Sequence, residues 1–339
     1  MSRRIRVAVL MGGRSSEHEI SIASARSVLE ALDPERYETV TVEIERDGRW
    51  ELGSARASEL EAAGGPVAET LPVPTDSVPS LLGEVDVVFP ILHGPFGEDG
   101  TVQGLLELAN VPYVGAGVTG SALAMDKDLF KAVLRDRGIP VTRNITLRPG
   151  QRIENPYGFP VFVKPARLGS SVGITKAHTQ GELEAGVQLA FRHDEKVLVE
   201  EFADGVEVEC SVLGNREPIA SLPGEIVAHA EWYDYAAKYD EGGMELIIPP
   251  RISERSVERV QQLAVESFVA TECEGMARVD FFVCDDEVLV NELNTIPGFT
   301  STSVYAKLFE ASGIAYPDLL DRLVELALER HERRSRLEY

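Results

Sequence analysis

Cysteine is scarce in this chain: three residues, Cys210, Cys273 and Cys284, and no CxxC pair. An odd number at wide spacing argues against a disulfide scaffold and a zinc site, and predicts a reducing, cytoplasmic setting. Basic charge is also short, with 33 Lys and Arg against 56 Asp and Glu and a net charge of −23. Such a surface repels phosphate backbones and anionic lipid, so neither nucleic acid nor a membrane is an expected partner. A nucleotide ligand stays open, because a few placed lysines and a metal suffice for a triphosphate. No apolar run approaches the roughly 20 residues that span a bilayer. The opening MSRRIRVAVLMGG ends its short apolar run in Gly12-Gly13 and a charged stretch, not in a small-residue cleavage site. It reads as a buried strand, not a secretory leader. The first strand is followed by no GxGxxG, which weakens a nicotinamide-binding oxidoreductase.

What is present is ordinary globular usage, 44% hydrophobic and 26% charged over 339 residues, enough for two or three domains. Residues 5–11 (IRVAVLM) read as a strand buried on both faces, followed by a Gly-Gly loop, a helix over 20–32 and a second strand over 37–44, a βαβ unit. Residues 52–80 read as a surface excursion with at most one short helix. A strand over 86–92, a Gly-rich turn, a helix over 101–109 and a short strand over 111–115 close an α/β unit. One helix is expected over 121–137, then strands at 159–165, 173–176 and 197–202 with a helix between. Further strands fall at 206–213, 219–222, 276–283 and 288–291, with helices over 254–271 and 317–334.

Several stretches carry chemistry. Glu17 opens the first helix, where an acid either complements the helix dipole or meets a ligand ammonium. His93 begins HGPFGEDG at the carboxyl end of a parallel strand, a position suited to shaping a site. VFVKPARLGSSVGI places Lys164 at a strand end before a Gly/Ser loop with Ser170 and Ser171; this is not a Walker loop but a flap whose N–H groups and hydroxyls suit phosphates. Glu200 and Glu201 end a strand, either as a solvated edge or beside a base or ribose. Arg278 and Asp280 share one strand face, and Glu292 and Asn294 repeat the pattern on the next strand. Hard oxygens of this kind suit Mg²⁺ with a triphosphate, and Arg278 beside them suits a developing oxyanion.

MGGRSSEHEIS (11–21), LHGPFGEDGTVQG (92–104), GSALAMDK (120–127), VFVKPARLGSSVGI (161–174), EWYDYAAKY (231–239), ARVDFF (277–282) and NELNTIPGFTSTS (291–303) follow one another across nearly the whole chain. Together they resemble the D-alanine–D-alanine ligases of the ATP-grasp superfamily. The resemblance implies an α/β and α+β fold of three domains: an N-terminal parallel α/β substrate domain over 1–120, a central ATP-grasp domain with the phosphate flap over 121–205, and a C-terminal domain over 206–339 with the metal site and a closing loop at 228–248. It implies ATP-dependent joining of two D-alanines through an acyl phosphate, for peptidoglycan precursor synthesis. By motif, Lys127, Lys164, Ser170, Ser171 and Lys238 would meet ATP phosphates, Glu200 the adenine and Glu207 the ribose. Asp280, Glu292 and Asn294 would hold two Mg²⁺, or Mn²⁺ in their place. Glu17, with Ser170 and Tyr239, would take the first D-alanine's ammonium, His93 would shape its site, Arg278 and the Gly298 N–H would bind the oxyanion, and Ser303 would hold the second carboxylate. A homodimer is expected. The alternatives are a ligase that joins D-alanine to D-lactate, and a non-catalytic nucleotide-binding regulator on the same scaffold.

Relatives that make the D-lactate ester depart from the peptide-forming pattern in the loop that here reads YDYAAKY, some with phenylalanine in place of Tyr239. Tyr239→Phe removes a hydroxyl that would link Ser170 and Glu17, worth roughly 1–3 kcal/mol. The ester-to-peptide ratio should rise by about one to two powers of ten, measured by competition between D-alanine and D-lactate across pH.

Overall fold

Alternation along the first strand decides the first layer. In a computed structural model that describes residues 3–53, 71–73, 82, 84–228 and 244–338, β1 (Ile5–Gly12) sends Val7 and Val9 to one core and Ala8 and Leu10 to another. Side chains two apart share a face, so this strand is buried on both sides. It pairs in parallel with β2 (Tyr37–Ile44) and, later in the chain, β5 (Val87–Pro90). Between them α1 (His18–Ala31) packs on the sheet. The sheet is not wholly parallel, however. A turn at Asp47-Gly48, with Gly48 at φ 91°, folds β3 (Trp50–Gly53) back antiparallel, and β4 (Leu71–Val73) follows, giving the order β4-β3-β2-β1-β5. The expected strand at 111–115 reduces to a single bridge, Val88 with Tyr113.

After α2 (Thr101–Leu108), the single helix expected over 121–137 is two: α3 (Val118–Met125) and α4 (Lys127–Asp136). Asp126 between them is extended (φ −85°, ψ 92°), and its carboxylate caps α4 through the Leu129 N–H at 3.2 Å. An aspartate in this role competes with helix continuation. A second sheet has the order β6-β9-β7-β8, from β6 (Asn144–Leu147), β7 (Val161–Pro165), β8 (Thr175–Ala177) and β9 (Val197–Glu201). The helix α5 (Gln180–Ala190) covers it through Leu183 and Val187. The β7–loop–β8 flap is antiparallel, as its sequence suggested.

The third sheet is antiparallel. It contains β10 (Val206–Gly214), β11 (Ile219–Ala220), β12 (Gly224–Ala228), β13 (Met244–Ile247), β14 (Gly275–Cys284) and β15 (Glu287–Asn294), in the order β13-β12-β10-β14-β15 with β11 beside β10. Its core takes in α6 (Glu254–Ala270) but also Ala124, Phe130 and Leu134 from α3 and α4. Those helices precede the second sheet in the chain yet pack on the third. Two helices follow, α7 (Val304–Ala311) and α8 (Tyr316–Arg334). The long α8 crosses back to the first sheet, where Leu319, Leu320, Leu323 and Val324 share a core with Val7, Val9 and Phe89. Arg330, also buried, donates to the carbonyls of Gly115 and Tyr113, the latter at 2.7 Å.

Leu323 is fully buried in that shared core. Leu323→Ala should destabilise the protein by about 2–5 kcal/mol, read from urea unfolding.

Candidate active site

Three neighbouring strands set three carboxylates abreast: Glu209 of β10 lies opposite Asp280 of β14, and Asp280 opposite Glu292 of β15. Like charges in register repel, so such a row needs cations. Arg278 supplies one, with Nε 2.9 Å from Glu209 and a two-pronged bond to Asp280 at 2.7 Å on each arm. Burial works against its charge, but Asp280 and Glu209 outweigh that cost and hold the guanidinium protonated. Lys127, the first residue of α4, supplies another at 3.3 Å from Glu292, and also donates to the flap carbonyl of Leu168 at 2.9 Å. Asn294, in register with Arg278, donates to Asp280 at 3.0 Å. The ladder slips between Asp280 and Phe281, leaving Asn291 as a bulge; bulges re-aim side chains beside sites.

Asn291 leads to a second cluster. Its side-chain oxygen accepts from Lys164 at 3.3 Å, and Lys164 also donates to Glu200 at 2.6 Å. Glu200 takes a further bond from Lys131, which in turn holds Thr142. Lys131 and Glu200 are almost wholly buried. Burial alone would push the Glu200 carboxyl up, but the two ammonium groups together hold it well below the usual carboxylate range. Glu207 stands two residues from Glu209 on the same face of β10 and adds negative potential at Lys164.

A third group forms where the first sheet's loops meet the flap. Glu17 sits at the N-cap position of α1 yet makes no side-chain cap bond; its carboxylate accepts instead from Ser170. Glu17 therefore turns toward the flap and not onto the first N–H groups of its own helix. Ser170 and Ser171 both have positive φ, 53° and 59°, a left-handed pair uncommon outside glycine. Strain of this kind persists where the surroundings hold it and clusters at functional loops. His93 is buried and kept neutral chiefly by that burial. Since the Ile296 carbonyl only accepts, Nδ1 carries the proton and donates to it at 2.9 Å; Nε2 faces the Ser24 hydroxyl at 3.3 Å. Both ring nitrogens of His93 thus face partners in the chain. Ser303, at the start of α7, accepts from the Thr300 N–H at 3.0 Å, with Gly298 beside it.

A cavity of about 500 Å³ brings residues of the first and third groups together. Glu17, His93, Ser170, Arg278, Glu292, Asn294, Gly298 and Ser303 line it, whereas Lys127, Lys164, Ser171, Glu200, Glu207 and Asp280 are not among its lining residues. Lys238 and Tyr239, and most of the expected closing loop with Tyr233 and Tyr235, lie outside the described residues; β12 and β13 on either side pair antiparallel. Sequence reasoning passed over Lys131, Glu209 and Glu98. Lys131 lies one turn after Lys127 on the same helix face. Glu209 repeats the period-two pattern of Glu207. Glu98 stands inside the HGPFGEDG turn, where its two acids gave no sign of which one turns inward.

The family model described as D-ala D-ala ligase N-terminus matches residues 6–116, and that described as D-ala D-ala ligase C-terminus matches 133–325. A D-alanine--D-alanine ligase of Solibacter usitatus is 48% identical over 338 residues, covering 98% of each chain. Among solved structures, the D-alanine-D-alanine ligase from Coxiella burnetii is 41% identical with a TM-score of 0.86, covering 98% of this chain and 97% of its own. VanG D-Ala:D-Ser ligase from Enterococcus faecalis is 36% identical with a TM-score of 0.85, covering 96% and 100%. The D-alanine--D-alanine ligase from Bacillus anthracis, complexed with ATP, is 28% identical with a TM-score of 0.77, covering 97% and 99%.

Glu200→Gln leaves two buried ammonium groups without their shared counter-charge. At neutral pH stability should fall by about 3–5 kcal/mol. Because the folded Glu200 pKa is lowered, its contribution is complete above the ordinary value of 4.5 and fades as pH falls below it. The gap between wild type and variant should therefore narrow in acid, which urea unfolding at pH 7 and pH 3 would record.

Proposed function

The chain belongs to the D-alanine–D-alanine ligase family, and from that membership we propose how its cavity joins two D-alanines at the expense of ATP. The fold is that of the ATP-grasp enzymes, and the activity is an ATP-dependent carboxylate–amine ligation serving peptidoglycan precursors. The first D-alanine carboxylate attacks the γ-phosphorus, giving D-alanyl phosphate and ADP. The amine of the second D-alanine then attacks the acyl carbon, and the tetrahedral intermediate expels phosphate to leave D-alanyl-D-alanine. Positioning and electrostatic stabilisation carry such a reaction.

The observation that carries the assignment of roles is the sharing of one cavity by Glu17 and Arg278. Glu17, bonded to Ser170, suits the first substrate's ammonium; Arg278, fixed by Glu209 and Asp280, suits the oxyanion, with the Gly298 N–H as its second donor. Ser303 suits the second carboxylate, and His93 shapes the first subsite. Lys127, Lys164 and the Ser170–Ser171 flap would receive the phosphates, with Lys131 beside them, Glu200 and Glu207 toward the nucleoside, and Lys238 and Tyr239 in the roles their motif implies.

Asp280, Glu292 and Asn294 would hold Mg²⁺. Their oxygen-rich set suits a hard cation, and the row of carboxylates already draws Arg278 and Lys127 to itself. When bound, the metal neutralises charge on the polyphosphate. We further propose a cytoplasmic homodimer, and domain limits near residues 120 and 205.

Two measurements test this. Phosphate release from ATP should require D-alanine and yield the dipeptide by mass; release independent of D-alanine would refute it. Glu292→Ala should lower turnover by roughly two to three powers of ten with the melting temperature little changed, whereas near-normal turnover at saturating Mg²⁺ would remove Glu292 from the site.

A further inference from the structure

We propose that Glu98 is a positioning residue that sets the spacing of the two amino-acid subsites by holding the Gly94 and Ile296 peptides on one carboxyl group; this rests on the ligase reading above. Glu98 Oε2 accepts from the Gly94 N–H at 2.8 Å, and Oε1 accepts from the Ile296 N–H at 2.8 Å. The two donors lie in loops that follow different sheets, after β5 and after β15. His93 completes the clasp by donating Nδ1–H to the Ile296 carbonyl at 2.9 Å. Ile296 is therefore held through both its N–H and its C=O.

Each loop carries one side of the reaction. The Gly94 loop lies directly against Glu17: a Cβ on Gly94 would fall 2.6 Å from Glu17 Oε2. The Ile296 loop runs within two residues to Gly298 and then to Ser303, the acceptor side. Glu98 links the part of the cavity that suits the ammonium to the part that suits the oxyanion and second carboxylate. Its carboxyl is pushed up to about 8, first by burial and then by Glu17, while the two N–H bonds it accepts work the other way. Both of its oxygens are taken by backbone donors.

Both neighbours of Glu98 are donors, and that makes the carboxyl hard to replace. A glutamine offers one oxygen and one NH₂, so whichever way it is turned, an N–H faces an N–H. An aspartate keeps two oxygens but withdraws them by one methylene.

The test separates the two chemical halves. With hydroxylamine as acceptor, D-alanyl phosphate gives the hydroxamate: a C–N bond forms, the C–O bond to phosphate breaks, and the amine proton leaves to water. This half reaction bypasses the second D-alanine site. In Glu98→Gln, dipeptide turnover should fall about 10- to 100-fold with a raised KM for the second D-alanine. Hydroxamate formation should fall less than about threefold and ADP affinity should stay within about twofold. Amide exchange in peptides covering 92–97 and 294–299 should quicken by about tenfold. If Glu98→Gln does not fold, Glu98→Asp carries the same comparison. Equal loss of hydroxamate and dipeptide, unchanged turnover, or unchanged exchange in both loops would overturn the proposal. A wild type with no D-alanine-dependent activity would sink the ligase reading instead, and the exchange measurement would still judge the clasp.

Discussion

Repulsion among Glu209, Asp280 and Glu292, held side by side by strand register, is the constraint on which the cleft depends. Facing carboxylates on adjacent strands are unfavourable, and water is partly excluded, with Glu209 and Asp280 both buried. The fold answers by bringing in cations from elsewhere. Arg278 comes from the same sheet and lies between two of the acids. Lys127 comes from α4, and its second bond, to Leu168, ties the flap to the acidic face. The same compensation recurs behind the row, where one glutamate holds two lysines. Positive and negative charge are thus held side by side along one wall of the cleft.

This arrangement requires the layers to be interleaved. The acids lie on the third sheet, Lys164 and Glu200 on the second, Glu17 and His93 on loops of the first. Helices α3 and α4 knit them, because their apolar stripe packs on the third sheet while Lys127 and Lys131 reach toward the flap and the second sheet. Asp126 makes the knitting stable. It caps α4 and also binds Lys196 at 2.7 Å, on the loop leading into β9.

Much of this was legible in the sequence where a single period governed. The same-face placement of Arg278 with Asp280, and of Glu292 with Asn294, follows from strand geometry, and the structure sets those pairs in register. The flap was legible from its glycines and serines. The helix break at Asp126 was not, since the apolar stripe continues across it and a capping aspartate looks like a solvated one. The strands β6, β12 and β13 were missed because each is only four or five residues and lacks clean alternation. Lys131 and Glu98 draw their meaning from partners far along the chain, Glu200 and Ile296, which no local pattern announces. Glu17's bond to Ser170 of the flap was likewise not legible, since the two are 153 residues apart.

The return of α8 to the first sheet has a consequence for how the molecule is made. One face of β1 is sealed by Leu319, Leu320 and Leu323, more than 300 residues later in the chain. While the ribosome is still adding the intervening residues, α1 can cover part of that face through Ala25 and Val28, and the part that α8 takes stays open to water or to a chaperone. Contacts so distant in sequence close late and slowly. The first sheet to be synthesised is therefore among the last to be finished, and a nascent chain arrested before Tyr316 carries an apolar surface that its own sequence has not yet supplied the means to cover.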